Sequence, residues 1–157
     1  MKKLQLHSDI TEYQLEELSS EEQTLVRMAI EATDRSYANY SHFHVGAALL
    51  LTNGEMMIGC NQENAAFPAG ICAERTAIFS AGVKYPDTAV KTLAIAARDT
   101  TGELTADPVS PCGTCRQVMI ETETRFAHPI RILLYGRNRI FVMNGIRHLM
   151  PLSFTEF

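Results

Sequence analysis

Three cysteines in this sequence have the types and spacing needed to bind a metal ion. Cys112 and Cys115 lie three residues apart in PCGTC, so in the first turn of a helix their side chains share one face. Cys72 begins another predicted helix, and the partial positive charge of a helix N-terminus favours the thiolate form of cysteine. If the two helix starts converge, three sulfur atoms bind one zinc ion and leave its fourth position for water, as in catalytic zinc sites.

Glu74 lies two residues after Cys72, beside the predicted metal but not bound to it. Zinc lowers the pKa of a bound water to about 7, and a nearby carboxylate can move the released proton to a substrate nitrogen. Hydrolytic removal of an amino group from a ring carbon needs this combination. Arg75 then offsets the charge of three thiolates and donates a hydrogen bond to sulfur, although an exposed helix arginine is also compatible with its position.

Two other interpretations of the cysteines remain open at this point. Cys112 and Cys115 taken alone fit a redox dithiol, which does not account for Cys72 and Glu74. Cys60 would complete a closed structural zinc site, but it ends an apolar strand and has no cysteine near it in the sequence. We therefore predict that Cys60 is a small buried residue.

The composition restricts the class of protein and of partner. The chain has 157 residues, of which 46% are hydrophobic and 20% charged, and its formal net charge is -4. This length can bury the core of one domain, and the scattered basic residues argue against a nucleic-acid partner. Because we find neither an apolar run of about 18 residues nor a secretory signal, we expect no membrane partner and a cytoplasmic protein with reduced cysteines.

Hydrophobic periodicity predicts the elements that must position these residues. Ser19 and Glu22 form a capping box at the start of a helix predicted to reach about Tyr37. Asn53-Gly54 favours a hairpin between two apolar strands. The other predicted helices cover 72–82, where Gly82 is the expected stop, 112–124 and 144–149, and the predicted strands cover 43–51, 55–60, 90–97, 130–135 and 139–143.

Helices alternate with buried strands in this order, which implies a sheet covered on both faces. We therefore expect an α/β fold of three layers, α/β/α, around a mixed five-stranded sheet. Residues 1–18 are predicted to be an N-terminal arm or an extra helix, followed by a single catalytic domain at 19–157.

The segments CAERTAIF and SPCGTCRQV together resemble the small cytidine deaminases that assemble as homotetramers. The similarity extends upstream through YANYSHFHVGAALL and GCNQENAAF and downstream to LMPLSF, so it covers about residues 32–154. It implies the cytidine deaminase-like fold and hydrolysis of cytidine and 2′-deoxycytidine in pyrimidine salvage. It also implies one zinc ion per chain, held by Cys72, Cys112 and Cys115, with Glu74 as general acid and base.

The resemblance further implies which residues bind the nucleoside. Phe43 would stack on the pyrimidine, Asn61 and Glu63 would hydrogen-bond the ribose hydroxyls, and Phe154 would reach the site of a neighbouring subunit. Without the resemblance, Asn61 also fits an Asx turn and Glu63 a solvated loop carboxylate. Phe67 stands where many relatives carry tyrosine, so one hydroxyl is missing from this region.

Two other functions are compatible with part of the pattern. A deaminase of a cytosine-containing antibiotic such as blasticidin S is a related enzyme, but the Asn61 and Glu63 motif favours an ordinary nucleoside. A zinc-stabilised binding module without catalytic activity leaves Glu74 without a role.

Overall fold

A mixed sheet of six strands lies at the centre of the computed structural model, which describes residues 1–155. The last two positions of the predicted domain, 156–157, lie outside the described residues. The strands are β1 (Thr11–Tyr13), β2 (His44–Leu51), β3 (Met56–Cys60), β4 (Val90–Arg98), β5 (Arg131–Tyr135) and β6 (Ile140–Asn144). Their order is β1-β6-β5-β4-β2-β3, with β4 and β5 parallel and the other neighbouring pairs antiparallel.

Helices cover both faces of this sheet. The α-helices are α1 (Ser20–Ala32), α2 (Ala73–Lys84) and α3 (Gly113–Phe126), and short 3₁₀ helices cover Leu15–Glu17, Thr33–Arg35, Phe67–Ala69 and Ile146–His148. Alternate strand residues point to opposite faces, so Leu49 packs with residues of α2 and α3 while Leu50 packs with residues of α1. The predicted α/β/α layering is confirmed. Across the described residues 1–155, no helix has the length and apolar content that crossing a membrane requires.

The prediction of five strands is wrong because β1 adds a sixth at the edge of the sheet. Thr11 pairs with Val142, and Tyr13 pairs with Ile140, in antiparallel register. A strand of only three residues has too few positions to show an alternating pattern, and backbone hydrogen bonds to β6 determine it. β1 and the 3₁₀ helix Leu15–Glu17 lie within the predicted N-terminal arm, whose boundary as a separate segment stays a prediction.

The start of α1 is confirmed, but its predicted end is wrong. The Oγ of Ser19 accepts a hydrogen bond from the backbone N of Glu22 at 3.2 Å, and the Oε2 of Glu22 accepts one from the backbone N of Ser19 at 3.0 Å. α1 ends before Tyr37 because the Thr33 hydroxyl donates to the carbonyl of Ile30 at 2.6 Å and the last turn tightens into a 3₁₀ helix.

The predicted stop of the second helix at Gly82 is also wrong. α2 continues to Lys84, and Tyr85, which precedes Pro86, leaves the helical region with φ −136°. Proline disfavours the helical conformation of the residue before it, so Pro86 ends the helix. The helix predicted at 144–149 is a single 3₁₀ turn.

Candidate active site

The N-terminal ends of α2 and α3 bring the three predicted cysteine ligands together. Cys72 is the N-cap residue of α2, Cys112 is the N-cap residue of α3, and Cys115 lies in the first turn of α3. Their Sγ atoms all lie within 4.8 Å of one another, and those of Cys72 and Cys112 are 3.8 Å apart. Tetrahedral zinc with Zn–S bonds of about 2.3 Å holds its sulfur ligands about 3.8 Å apart. The donor set therefore fits one zinc ion.

A glycine in β3 allows α2 to lie close enough to the sheet to place Cys72. A Cβ atom on Gly59 would lie 2.5 Å from the carbonyl oxygen of Ala73 and 2.5 Å from the backbone nitrogen of Ala77. A residue with a side chain cannot occupy this position without moving the helix. The first turn of α2 is thus fixed against β3 by backbone packing.

Glu74 lies in the first turn of α2, and only 4% of it is exposed. Burial, together with the negative charge of the Cys72 sulfur, raises the pKa of the Glu74 carboxyl, while a hydrogen bond with Cys115 and the charge of Arg75 act in the opposite direction. A carboxyl group with a raised pKa can accept a proton and return it within one reaction. This position suits the proton-transfer role predicted for Glu74.

A hydrogen bond between the Cys72 and Cys115 sulfur atoms shifts the pKa values of these two thiols in opposite directions. A hydrogen bond from Cys115 and the contact with Arg75 lower the pKa of Cys72 to about 5. The hydrogen bond to Cys72 and burial raise the pKa of Cys115. The Nη2 of Arg75 lies 3.6 Å from the Cys72 sulfur. The predicted charge-compensating role of Arg75 stays a prediction, and this contact is compatible with it.

Cys60 lies outside the cluster that the described residues form. The cluster contains Cys72, Cys112 and Cys115, and all four cysteines of the chain are free of disulfide bonds. Cys60 is partly buried at the end of β3, where its thiol donates to the carbonyl of Arg35 at 3.2 Å. A closed four-cysteine site and an isolated dithiol are therefore poor descriptions of this arrangement.

A surface cleft of about 550 Å³ leads to Cys72 and Arg75, and this volume is typical of small-molecule sites. Asn61 and Glu63 lie in its wall, as does Phe67. Tyr40, which was not predicted as a site residue, also lines the cleft and contacts Phe67 edge to face with ring centroids 6.1 Å apart. Tyr40 could have been identified from its position in YANYSHF, because this segment lies in the part of the sequence that carries the family resemblance.

Backbone hydrogen bonds orient the Glu63 carboxylate in the cleft. Its Oε2 accepts from the backbone N of Tyr40 at 2.8 Å and of Ser41 at 3.2 Å. Hydrogen bonds from Ser41 and Tyr40 hold the pKa of Glu63 below its ordinary value. Glu63 is thus an ionised acceptor that the backbone of Tyr40 and Ser41 orients, and its role in binding ribose stays a prediction.

The side chain of Asn61 hydrogen-bonds to the backbone of Phe43 and of Val45, at the start of β2. Its Oδ1 accepts from the backbone N of Val45 at 2.8 Å, and its Nδ2 donates to the carbonyl of Phe43 at 2.9 Å. The Nδ2 group has a second hydrogen for another acceptor. Asn61 therefore has a structural role here, and binding of a ribose hydroxyl would use its remaining donor.

Phe43 and Phe154 do not lie among the residues that line the cleft. Phe43 is partly buried just before β2. Phe154 is 63% exposed, and its carbonyl accepts a hydrogen bond from the Nε2 of Gln117 on α3 at 2.9 Å. The predicted contact of Phe154 is with a neighbouring subunit, which the structure of one chain does not contain. The roles of Phe43 in stacking and of Phe154 in the neighbouring site therefore stay predictions.

Residues 19–127 match the model of a protein family described as the cytidine and deoxycytidylate deaminase zinc-binding region. The cytidine deaminase of Halalkalibacterium halodurans is 45% identical over 99 residues, which are 63% of this chain and 70% of that protein. The cytidine deaminase of Mycobacterium tuberculosis is 35% identical over 106 residues, or 66% of this chain and 74% of that protein.

Solved structures of similar proteins share the fold. The crystal structure of cytidine deaminase from Burkholderia pseudomallei superposes with a TM-score of 0.72 and 36% identity, covering 83% of this chain and 97% of that one. The structure from Mycobacterium tuberculosis gives a TM-score of 0.66 and 27% identity, covering 88% of this chain and 100% of that one.

Proposed function

Because this chain belongs to the cytidine and deoxycytidylate deaminase family, we propose that it hydrolyses cytidine, and also 2′-deoxycytidine, to the uracil nucleoside and ammonia in pyrimidine salvage. The observation that carries this proposal is the placement of a buried carboxylate, Glu74, in the same helical turn that starts at Cys72, with three sulfur atoms within 4.8 Å of one another. Cys72 also lines the surface cleft, so a small molecule in the cleft reaches one edge of this group.

Cys72, Cys112 and Cys115 would hold the zinc ion, which when bound supplies a water molecule acidic enough to react near neutral pH. Glu74 accepts a proton from the attacking water and delivers it to N3 of the pyrimidine ring as the new C4–O bond forms. It then moves the second proton to the 4-amino group, so that ammonia leaves as the C4–N bond breaks. Its burial keeps bulk water from competing for these protons.

Arg75 offsets the charge of the cysteine ligands. Three thiolates and one divalent ion carry a net charge of about −1, and a guanidinium that donates to sulfur stabilises this excess. The contact between Nη2 of Arg75 and the Cys72 sulfur, at 3.6 Å, supports this role.

The cleft supports selection of a nucleoside over the free base. Glu63 offers an oriented, ionised acceptor for a ribose hydroxyl, and Asn61 offers one remaining donor beside it. Phe43 stacks on the pyrimidine, and Phe154 of a neighbouring subunit completes the site in a homotetramer. Gel filtration at low concentration tests the tetramer, and a catalytically competent monomer would contradict it.

Turnover by the purified zinc-loaded protein tests the function. We expect loss of the cytosine ultraviolet absorbance and equimolar ammonia with cytidine and 2′-deoxycytidine, and much slower reaction with free cytosine. Faster turnover of blasticidin S than of cytidine would show that the preferred substrate is an antibiotic and not an ordinary nucleoside. Zinc binding without ammonia from any of these compounds would favour a non-catalytic module.

A further inference from the structure

Arg116, the residue after Cys115, binds two backbone carbonyls that belong to different segments of the chain. Its Nε donates to the oxygen of Pro111 at 2.8 Å, and its Nη1 donates to the oxygen of Leu149 at 2.6 Å. The first carbonyl directly precedes Cys112, and the second follows the last 3₁₀ helix. One guanidinium therefore joins the metal-binding turn to the C-terminal segment.

Cys112 is the ligand whose position depends most on its immediate neighbours. Cys115 is fully buried within α3, and Cys72 receives the contact from Arg75. Cys112 is exposed and precedes the first turn of α3, where backbone N–H groups have no partner within the helix. Pro111 has no N–H at all, so its carbonyl is the group through which the Pro111–Cys112 peptide can be held.

We propose that Arg116 is a positioning residue that keeps the Cys112 sulfur directed at the metal, and that the C-terminal segment holds Arg116 in place. Rotation of the peptide before Cys112 would turn this sulfur away from the other two. The hydrogen bond from Arg116 to the Pro111 carbonyl opposes that rotation. This inference rests on the zinc site of the proposed function and does not depend on which nucleoside reacts.

The C-terminal segment is itself fastened to α3 at two further points. The Oε1 of Glu123 accepts from the backbone N of Ile146 at 2.9 Å, and the Nε2 of Gln117 donates to the carbonyl of Phe154 at 2.9 Å. Arg116 and Glu123 are seven residues apart, so they lie on one face of the helix. The carbonyl that Arg116 binds in this segment is therefore a fixed anchor.

The planar fork of arginine suits this task better than another cation. Guanidinium nitrogens donate in fixed directions within one plane, whereas a lysine ammonium is a point charge on a flexible stem. A guanidinium held at Leu149 thus has a defined direction for its second donor, toward Pro111. Charge alone would not reproduce this arrangement.

Zinc release from the loaded protein tests the proposal. Wild-type protein, Arg116→Met and Arg116→Lys are mixed with an excess of a chromogenic chelator, and the rate of zinc transfer is recorded. Methionine keeps an apolar stem without donors, and lysine keeps the charge without the fork. Loss of an outer-shell partner usually weakens metal affinity about 10–100-fold, so with an unchanged rate of binding we expect both variants to release zinc faster by about that factor.

Arg125→Met is the matched control. Arg125 lies on the same helix and also donates to a backbone carbonyl, that of Pro86, at 2.6 Å, but this carbonyl belongs to the turn after α2. We expect zinc release at the wild-type rate. The cobalt-substituted proteins provide a second measurement: the thiolate-to-cobalt absorption band changes in the Arg116 variants and stays unchanged in Arg125→Met.

Each outcome decides a separate claim. Zinc release within about twofold of wild type, with an unchanged cobalt spectrum, would reject the role of Arg116, since outer-shell partners normally contribute more than this. If Arg116→Met does not fold, Arg116→Lys decides; if neither folds, Arg116 serves the whole fold and the positioning role is rejected. Wild-type protein that binds no zinc would instead reject the metal site and the proposed function.

Discussion

The Sγ atoms of Cys72 and Cys112 lie 3.8 Å apart, although 40 residues separate the two cysteines in the sequence. Each is the N-cap residue of a different helix, so this distance depends on how α2 and α3 pack on the sheet. Cys115 adds a third sulfur from inside α3. The metal site is therefore a property of tertiary packing, and a change in packing away from the sulfur atoms should alter metal binding.

Gly59→Ala should destabilise the protein and weaken zinc binding. The new Cβ would lie 2.5 Å from the Ala73 carbonyl and from the Ala77 nitrogen, so α2 must move away from β3. Overpacking of this kind costs about 1–3 kcal/mol of the free energy of unfolding. Urea unfolding of the zinc-free protein gives the stability, and a chelator competition gives the zinc affinity.

Gly82→Ala is the control for this substitution. Gly82 lies in α2, and a Cβ there would have nothing within 4 Å. Alanine in a helix interior should stabilise the protein by about 0.5–1 kcal/mol relative to glycine. If Gly59→Ala were as stable as Gly82→Ala and bound zinc equally well, the close contact between α2 and β3 would not be a requirement of the site.

Glu22→Gln should lower stability at neutral pH and have less effect in acid. Although burial opposes it, hydrogen bonds from Arg131 and Ser19 lower the pKa of Glu22 below its ordinary value. A lowered folded-state pKa stabilises the protein above the unfolded-state pKa, and this contribution is lost as the pH falls through the folded-state value. Glutamine keeps an acceptor for the Ser19 N–H but loses the charge that pairs with Arg131, which should cost about 1 kcal/mol at pH 7.

Urea unfolding of zinc-free wild type and Glu22→Gln at several pH values measures this difference. The difference should be complete above about pH 5 and should shrink in more acidic solution, because the ordinary pKa of glutamate is about 4.3. Glu31→Gln, at an exposed glutamate of the same helix, should stay within about 0.5 kcal/mol of wild type. A Glu22→Gln difference that grew toward low pH would contradict the account.

Glu63→Gln should raise the KM for cytidine more than it lowers kcat. Its Oε2 is oriented by the backbone N–H groups of Tyr40 and Ser41, so the carboxylate has a fixed direction in the cleft. Replacing the charged acceptor by an amide should cost about 1.5–3 kcal/mol of binding, or about 10- to 150-fold in KM. Steady-state kinetics with cytidine measures this.

Free cytosine and a second glutamate variant are the controls for Glu63. The much lower turnover of cytosine should not change in Glu63→Gln, because cytosine has no ribose. Glu121→Gln, at an exposed position of α3, should leave both parameters unchanged. Equal effects of Glu63→Gln on cytidine and on cytosine would show that Glu63 does not bind the sugar.

Residue type and local spacing showed which residues could bind a metal, and the family resemblance assigned Cys72, Cys112 and Cys115 to one site. Cys112 and Cys115 share a helical turn whatever the rest of the fold does, and the types of Cys72 and Glu74 restricted the chemistry. Family resemblance then identified Asn61 and Glu63, which do line the cleft. Their roles in binding ribose stay predictions.

Features that depend on tertiary contacts could not be predicted in this way. The pairing of Thr11–Tyr13 with β6 joins residues more than 100 positions apart and leaves no local pattern. The approach of α2 to Gly59 and the bond from Arg116 to Leu149 likewise join distant segments. Phe43 and Phe154 are a different case. Motif matches predicted that both lie in the active site, but neither lines the cleft of the single chain.

The central claim concerns Glu74, a buried carboxyl group that contacts the cysteine cluster and is proposed to move protons between water and substrate. Glu74→Gln keeps the shape of the side chain and removes the proton acceptor. General acid–base catalysis contributes about 10²- to 10⁴-fold, and a loss of at least this size is expected. Glu121→Gln is again the control.

The most direct measurement is the zinc content and the cytidine turnover of the same Glu74→Gln preparation. We expect one zinc ion per chain, as in wild type, with kcat reduced by about 10²-fold or more. Turnover per bound zinc that stayed close to the wild-type value would contradict the account, whether or not the variant also bound less metal.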